Sequence, residues 1–267
     1  MQQIGIIGFG NMGSAIARGL RAQHPGLELG ILEPNSEARQ RAESELGAIS
    51  YIDAPDRFFR DCETVVLAIK PQDLDPIADE LRAHSTDAAL ISVLAGTPTE
   101  RIAAAFDTQR VARFMPSLAA SVGKSLVGVA FAAAADKSLR ETALTVAETI
   151  GRPLEVPEHL MAAITGVSGS GLAYAFTFAH ALAMGGVSTG LKYDDALAAA
   201  VMVLDGAAEV LRATGEHPLA LASKVSSPAG TTITGLTALE RGAFTATVIE
   251  AVEQAAHRAN ELERTAP

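Results

Sequence analysis

The pattern of hydrophobic and polar positions changes near residue 159. Before residue 159, short and mainly apolar runs alternate with stretches of helical period. The runs predict strands at residues 4–8, 27–32, 64–69, 88–94, 110–115 and 126–132. Helices are predicted at about residues 11–21, 36–46 and 136–150, with another whose first turn holds Pro98. Ser36 is the predicted N-cap and Gly151 the predicted C′ residue of their helices. Strands alternating with helices predict an α/β fold with a doubly wound, mostly parallel sheet.

The second part of the chain has only helical patterns, at about residues 169–187, 193–213, 218–225 and 244–262. Charged residues fall from 36 in residues 1–159 to 16 in the 108 residues that follow. Helices that are apolar on nearly every face leave more surface than so short a segment can bury alone. We therefore expect two domains, residues 1–158 and an all-α domain of residues 159–267 that binds a second subunit.

Composition narrows the class of protein. The chain has 267 residues, of which 48% are hydrophobic, and a net charge of −10, which offers no basic surface for nucleic acid. The single cysteine, Cys62, fits a reducing compartment, and neither a signal peptide nor a metal-ligand cluster is predicted. Residues 160–191 carry no charge, but they are rich in Ala, Gly, Ser and Thr. We expect this segment to be a soluble helix buried on most sides, in a cytoplasmic protein without a membrane partner.

A glycine-rich loop lies between the first predicted strand and the first predicted helix. It reads G-x-G-x-x-G, and its residues are Gly8, Phe9, Gly10, Asn11, Met12 and Gly13. The first glycine permits a tight turn, the second lets the backbone approach a pyrophosphate, and the third lets the helix lie close to the strand. The N–H groups and dipole at the helix start then hold the phosphates. The alternative is a glycine-rich turn that binds nothing.

An acidic residue, Glu33, follows the second predicted strand, 20 residues after Gly13. A carboxylate here can bond the ribose hydroxyls of a dinucleotide and repels a 2′-phosphate, which favours NADH over NADPH. Asn35 and Ser36 come next and can instead bond such a phosphate. A solvated residue at the strand end, with no role in binding, is the other alternative.

The ends of the remaining strands should line the same crevice, because parallel strands end at one edge of a sheet. The predicted cofactor contacts there are Ala68, Lys70, Pro71, Ala95 and Gly96. Lys70 either contacts the cofactor or is a surface charge. Residues 113–116 close the following strand near the domain boundary.

A polar loop interrupts the helical domain at residues 225–232. Thr231 or Thr232 can cap the helix that follows, and the N–H groups at its start suit a carboxylate. Simple helix punctuation is the alternative, and Ser170, in the segment 168–171, has the same ambiguity. His180 lies mid-helix and is expected to be a packing residue.

These segments together resemble pyrroline-5-carboxylate reductases over nearly the whole chain. The resemblance is carried by residues 6–13, 67–71, 113–116, 167–171 and 225–240. It implies hydride transfer from NADPH or NADH to the C=N carbon of 1-pyrroline-5-carboxylate, a cyclic imine carboxylate, to give L-proline. It also implies a homodimer through the helical domain, with a site formed by the nucleotide domain and helices of both subunits, and suggests a ring of dimers.

The resemblance also implies residue roles. The family's Ser-Pro-Gly-Gly-Thr-Thr-like loop cradles the substrate carboxylate, and a Thr hydroxyl, here that of the catalytic Thr232, lies near the imine nitrogen. The substrate-binding residues would be Ser170, Ser226, Ser227, Gly230, Thr231 and Thr232. The chain departs from the family where Ser117-Leu118-Ala119 replaces Asn-Thr-Pro, His180 replaces an acidic residue, and Ala229 replaces a glycine.

Other functions stay open at this point. They are a reductase of a related cyclic imine and a non-catalytic dinucleotide-binding protein. A β-hydroxyacid dehydrogenase would need a catalytic lysine near the start of the long helix, and residues 168–190 contain none.

Overall fold

The computed structural model describes residues 3–85 and 88–265. The chain forms two compact units. The first comprises Met1–Ser170 together with Gln254–Pro267, and the second is Gly171–Glu253. By packing, the first unit thus ends at Ser170 and also includes the last described residues, from Gln254 on.

In the described part of the first unit, eight strands form one sheet in the order β3-β2-β1-β4-β5-β6-β7-β8. Every neighbouring pair is parallel except β6 and β7. The predicted doubly wound, mostly parallel sheet is confirmed. The strands are β1 (Gln3–Ile7), β2 (Glu28–Leu32), β3 (Ile49–Ser50), β4 (Thr64–Leu67), β5 (Ala89–Ser92), β6 (Val111–Met115), β7 (Ser125–Phe131) and β8 (Gly151–Glu155).

Two cores cover the two faces of this sheet. Along β1, Ile4 and Ile6 belong to a core that includes side chains of α1, α2 and α6, whereas Ile7 belongs to a core with α3, α4 and α5. The central strands β1, β4 and β5 are rich in apolar residues because both of their faces are buried. The helices are α1 (Asn11–Gln23), α2 (Ser36–Leu46), α3 (Pro55–Asp61), α4 (Leu74–Leu81), α5 (Thr99–Phe106), α6 (Lys137–Glu148) and the short α7 (Met161–Ile164).

Three predicted helix ends are wrong. The N-cap of α2 is Asn35 rather than Ser36, because the Asn35 side chain accepts the N–H of Ala38 at 2.9 Å. Pro98 is the N-cap of α5 and lies just before its first turn. Gly151 is not the C′ residue of α6 but opens β8, where a Cβ would lie 1.8 Å from the carbonyl oxygen of Ser125. That glycine therefore serves the close approach of β8 to β7.

The second unit is helical, with α8 (Gly171–Ser188), α9 (Tyr193–Thr214), α10 (Pro218–Lys224), α11 (Thr231–Arg241) and the first part of α12 (Phe244–Thr265). The buried residues of α8 and α9 are alanines. At one close contact between them, a Cβ at Gly186 would lie 2.8 Å from that of Ala196. Small side chains therefore bring these helices together.

Large apolar side chains of the second unit face outward in the single chain. Met202 on α9 is 68% exposed, and Phe176 and Met184 on α8 are exposed as well. The expectation that the uncharged helix is buried on most sides is therefore wrong for the chain by itself. By length and composition alone, Glu158–Ser188 is long and apolar enough to cross a membrane. Exposed apolar helices of this kind also pack against a second subunit.

Candidate functional sites

The three glycines of the glycine-rich loop differ in the space available for a Cβ atom. Gly8 has φ +92°, and a Cβ there would lie 2.6 Å from the carbonyl oxygen of Ala68, so only glycine fits this turn. At Gly13 a Cβ would lie 2.1 Å from the carbonyl oxygen of Gly8, so glycine permits the close approach of α1 to the loop. At Gly10 a Cβ would enter open space. The loop is thus tightly packed on its protein side and open at Gly10.

The start of α1 is open as well. Gly10 is the N-cap, and neither a side-chain cap nor an acidic residue occupies the first turn of this helix. The N–H groups of the first turn, from Asn11 to Gly13, have no acceptor within the helix. Their partial positive charge suits an anion. The Phe9 side chain is buried in the core, which leaves only the backbone of Phe9 for binding.

Glu33 stands directly behind this loop, at the end of β2. Its Oε2 accepts the backbone N–H of Phe9 at 2.6 Å, and its Oε1 accepts the N–H of Asn35 at 2.8 Å. The residue is only 9% exposed. The alternative of a solvated strand-end residue is therefore wrong, since the carboxylate is held in a defined position by two backbone donors.

Arg39, on the first turns of α2, is a residue of this region that the sequence analysis missed. Its Nη1 donates to the carbonyl oxygens of Glu33 at 2.9 Å and Pro34 at 3.3 Å. Its spacing is the available signal, because a residue four positions after the Asn35 cap lies one turn above it. Ser36 is exposed beside this cluster.

The ends of the parallel strands β1, β4 and β5 meet at one edge of the sheet, as predicted. Ala68 follows β4, and its N–H donates to the carbonyl oxygen of Ile7 at 2.8 Å. Lys70 is exposed just before a short turn that begins at Pro71, and no ion pair joins it to another described residue. Ala95 and Gly96 follow β5 within the first unit. The sheet thus brings the predicted strand-end residues to the edge that carries the glycine loop.

In the second unit, the polar loop connects α10 to α11. Gly230 is the N-cap of α11, and no side chain caps this helix, so capping by Thr231 or Thr232 is wrong. Thr232 is half-buried and Thr231 exposed, and neither hydroxyl bonds another residue of the described chain. The Ser226 hydroxyl, in contrast, donates to the carbonyl oxygen of Ala222 at 2.8 Å. The two threonines therefore keep free hydroxyls at the start of a helix.

One departure from the family pattern, Ala229, lies at a special backbone position of this loop. Ala229 has φ +56°, a conformation that favours glycine. At the next position, a Cβ on Gly230 would lie 2.3 Å from Oγ of Ser227. The chain therefore keeps a glycine that lies close to Ser227 and places alanine at a position whose backbone favours glycine.

The other departures lie at Ser117 and His180. Ser117 is buried, and its N–H donates to Oγ of Ser125 at 2.8 Å, so this residue binds the neighbouring strand β7. His180 is exposed on α8, so it is not a packing residue within the chain. Ser170 lies in the first unit, half-buried after a π-helical turn, Thr165–Gly169, and its N–H donates to the carbonyl oxygen of Thr165 at 2.8 Å.

Residues 3–85 and 88–265 hold neither a reactive thiol nor a cluster of metal-binding side chains. Burial raises the pKa of the Cys62 thiol to about 12, so this thiol stays protonated at neutral pH. No group of three or more His, Cys, Asp or Glu side chains is placed to hold a metal ion.

Comparison with known proteins decides the family. The family described as pyrroline-5-carboxylate reductase dimerisation matches residues 158–262, and the family described as NADP oxidoreductase, coenzyme F420-dependent, matches residues 3–96. The pyrroline-5-carboxylate reductase of Synechocystis sp. is 36% identical over 97% of this chain and 98% of its own length. The chain belongs to the pyrroline-5-carboxylate reductase family.

Further members of the pyrroline-5-carboxylate reductase family agree with this assignment. The reductase of Thermus thermophilus is 36% identical over 97% of this chain and 98% of its own length. Among solved structures, a pyrroline-5-carboxylate reductase from Coxiella burnetii has a TM-score of 0.91 and 27% identity over 98% of both chains. One from Plasmodium falciparum with NADP bound shares the fold, with a TM-score of 0.86 and 22% identity over 98% of both chains.

The two family matches cover the α/β part and the helical part of this reductase. The oxidoreductase match covers β1 to β5 and the glycine loop, and thus supports a nicotinamide dinucleotide site in the first unit. The dimerisation match covers α8, α9 and most of α12. A dimerisation domain accounts for the exposed apolar side chains of these helices, because a second copy can bury them.

Proposed function

We propose that this protein reduces the C=N bond of 1-pyrroline-5-carboxylate to give L-proline. The observation that carries the proposal is the full-length similarity to pyrroline-5-carboxylate reductases, joined to an open glycine loop in the first unit. The nicotinamide of NADH or NADPH supplies the hydride when it is bound. The protein's own part is to bind the two reactants and to orient them.

The residues of the glycine loop fit a dinucleotide. Gly8 and Gly13 are required by packing, whereas open space at Gly10 lets the backbone approach a pyrophosphate. Backbone N–H groups at the start of α1 would hold the phosphates, and strand-end residues would line the rest of the crevice. The proposed cofactor-binding residues are Gly8, Phe9, Gly10, Asn11, Met12, Gly13, Glu33, Asn35, Ser36, Ala68, Lys70, Pro71, Ala95 and Gly96.

We further propose a preference for NADH over NADPH. The Glu33 carboxylate lies at the end of β2, where the ribose hydroxyls of a dinucleotide are bound in this fold. Two backbone donors fix its position, so it cannot swing away from a 2′-phosphate without losing both bonds. Arg39 is a candidate partner for such a phosphate, but its Nη1 is engaged by two backbone carbonyl groups. The negative charge at Glu33 therefore disfavours NADPH.

For the substrate we propose the polar loop of the second unit. The N–H groups at the start of α11 suit the carboxylate of the imine, with Ser227, Gly230 and Thr231 around it. The free hydroxyl of Thr232 would accept a hydrogen bond from the protonated ring nitrogen and act as the catalytic residue. Ser170 and Ser226 would complete the substrate-binding set.

This arrangement needs no strong acid. A protonated imine already carries the proton that the product amine keeps, so no side chain has to deliver one during reduction. As the ring nitrogen changes from planar to tetrahedral, a hydrogen bond to Thr232 can tighten in the transition state. Orientation by the loop then supplies most of the acceleration.

The proposal includes assembly and location. We propose a homodimer through the helical domain, extended to a ring of dimers, in the cytoplasm and without nucleic-acid or membrane partners. The exposed apolar residues of α8 and α9 support the dimer, and the net charge of −10 disfavours nucleic acid.

The test is turnover by the purified protein with pyrroline-5-carboxylate and with its six-membered homologue, each with NADH and with NADPH. We expect oxidation of the reduced nicotinamide with the five-membered imine, formation of L-proline, and a higher kcat/KM with NADH. Faster turnover of the six-membered ring would instead indicate a related imine reductase. Dinucleotide binding without turnover of either imine would indicate a binding protein.

A further inference from the structure

A buried arginine joins two carboxylates within the first unit. Arg113, on β6, is 2% exposed, and its guanidinium forms ion pairs with Glu158, at 3.3 Å, and with Glu263 on the last turns of α12. A buried cation of this kind is stable only when its charge is paired. The two carboxylates, however, carry one more charge than Arg113 can neutralise.

The remaining charge is stabilised at the start of α5. Oε1 of Glu158 accepts the backbone N–H of Thr99 at 2.7 Å, and its Oε2 accepts the Thr99 hydroxyl at 2.6 Å. Thr99 is the first residue of α5, whose own N-cap, Pro98, has no capping side chain. Glu158 therefore caps this helix from a distant point of the sequence, and it fixes the C-terminal end of the loop that follows β5.

The middle of the same loop lies beside the end of α12. Gly96 has φ +66°, and a Cβ at this position would lie 3.4 Å from the Cβ of Leu262 and 3.7 Å from the backbone nitrogen of Glu263. The loop after β5 thus lies next to the end of α12 at Gly96 and is hydrogen-bonded at Thr99 to Glu158. Arg113 links these two points, because it pairs with Glu158 and with Glu263 of α12.

The position of this loop on the sheet relates the cluster of Arg113, Glu158 and Glu263 to the proposed cofactor site. The glycine loop follows β1, and Glu33, at the proposed ribose site, follows β2 on one side of it. A dinucleotide that spans this edge extends its other half over β4 and β5 on the opposite side. Ala95 and Gly96 therefore lie at the nicotinamide end of the proposed cofactor site.

We propose that Arg113 is a positioning residue that acts through Glu158 and Glu263 to hold the Ala95–Gly96 loop against the nicotinamide half of the cofactor. The inference rests on the proposed function, since it assigns a role to residues around the same dinucleotide site. Loosening the loop should leave the pyrophosphate and ribose contacts in place, while the nicotinamide gains freedom. The affinity for NADH would then change little, whereas the nicotinamide would be less well oriented.

The test compares Glu263→Ala with Glu261→Ala, a carboxylate of the same helix that pairs at the surface with Arg258. The fluorescence lifetime and anisotropy of bound NADH report nicotinamide mobility without any turnover. For Glu263→Ala we expect both to fall, with the NADH Kd changed less than about twofold and kcat lowered about tenfold, because a small misplacement of the reacting groups slows the reaction. For Glu261→Ala we expect wild-type values.

A second variant keeps the test decisive if Glu263→Ala does not fold. Glu263→Gln retains the shape and one oxygen acceptor, and we expect a smaller change of lifetime in the same direction. Wild-type lifetime and anisotropy in every folded variant would overturn the proposal, as would a drop in melting temperature that leaves lifetime and kcat unchanged. Failure of the wild-type protein to reduce the imine would instead overturn the proposed function, while the lifetime comparison would still decide the role of the cluster.

Discussion

The carboxylate of Glu33 accepts the backbone N–H of Phe9 at 2.6 Å, which ties the end of β2 to the glycine loop after β1. One side chain thus supports the loop proposed to bind the pyrophosphate and places a negative charge at the proposed ribose site. We therefore expect dinucleotide preference and loop stability to depend on the same residue.

Removing the charge of Glu33 should change the cofactor preference. For Glu33→Gln we expect the ratio of kcat/KM with NADPH to that with NADH to rise roughly tenfold, because repulsion between two unit charges near a protein surface is worth about 1–4 kcal/mol. An amide offers only one oxygen to the two backbone donors, so the variant should also lose about 1–2 kcal/mol of stability. Steady-state kinetics with both cofactors, and thermal melts, measure the two effects.

Glu37→Gln is the matched control, because it makes the same charge change on an exposed residue of α2. We expect it to leave both the cofactor ratio and the melting temperature close to wild type. An unchanged ratio in Glu33→Gln would show that this carboxylate does not select the cofactor.

A side chain at Gly10 should block the dinucleotide without harming the fold. A Cβ at this position enters open space, so Gly10→Val should fold normally. The valine would occupy the volume proposed for the pyrophosphate, and hydrogen bonds to charged groups are worth about 1.5–3 kcal/mol each. We expect NADH affinity to fall by roughly 10- to 100-fold in a calorimetric or fluorescence titration.

Gly26→Val is the control for this substitution, since a Cβ at Gly26 also meets no atom within 4 Å. Gly26 precedes β2, at the opposite end of the strand from Glu33. Equal NADH affinities in the two variants would contradict the proposed place of the pyrophosphate.

Loss of the Thr232 hydroxyl should slow turnover and leave stability unchanged. A hydrogen bond made to the reacting nitrogen contributes about 1–3 kcal/mol, so Thr232→Ala should lower kcat by about 5- to 150-fold. Its melting temperature should stay near wild type, because the side chain caps no helix. Thr237→Ala removes a hydroxyl that donates to the carbonyl oxygen of Ile233, and it should keep normal turnover. Normal kcat in Thr232→Ala would remove this residue from the catalytic site.

Dimer formation should depend on the exposed apolar side chains of the second unit. Met202→Asp places a charge at a residue that is 68% exposed in the single chain, and we expect it to shift the protein from dimer towards monomer and to lower its stability. Sedimentation velocity over a dilution series measures the shift. Gln40→Asp, at an exposed position of α2, should leave the dimer intact. A wild-type protein that sediments as a folded, active monomer would refute the proposed assembly.

Sequence patterns predict those elements best whose structure is determined by neighbouring residues. The glycine loop, its flanking strand and helix, and the buried strand β4 follow from a few neighbouring residues. β3 was missed because it has two residues, and β8 because its alternating half-buried and exposed positions at the sheet edge resemble a loop. Gly151 was predicted to end a helix because glycine is common there. Its close approach to Ser125 depends on the pairing of β7 with β8, which local sequence patterns do not predict.

The candidate sites show the same limit. Glu33 was identified by its spacing, but its bond to Phe9 depends on how β1 and β2 are placed side by side. Arg113 and its carboxylate partners were not recognised as a cluster, since Glu158 lies 45 residues and Glu263 lies 150 residues further along the chain. Contacts over such separations are fixed by the tertiary fold and not by local periodicity.

Isotope transfer tests the central claim most directly. The protein is incubated with 1-pyrroline-5-carboxylate and NADH that carries deuterium at the transferable position of nicotinamide C4, and the product is examined by mass spectrometry and NMR. The account predicts L-proline with one deuterium on Cδ, the carbon that was double-bonded to nitrogen. Proline without deuterium, or no proline while NADH is still bound, would contradict direct reduction of the imine by this protein.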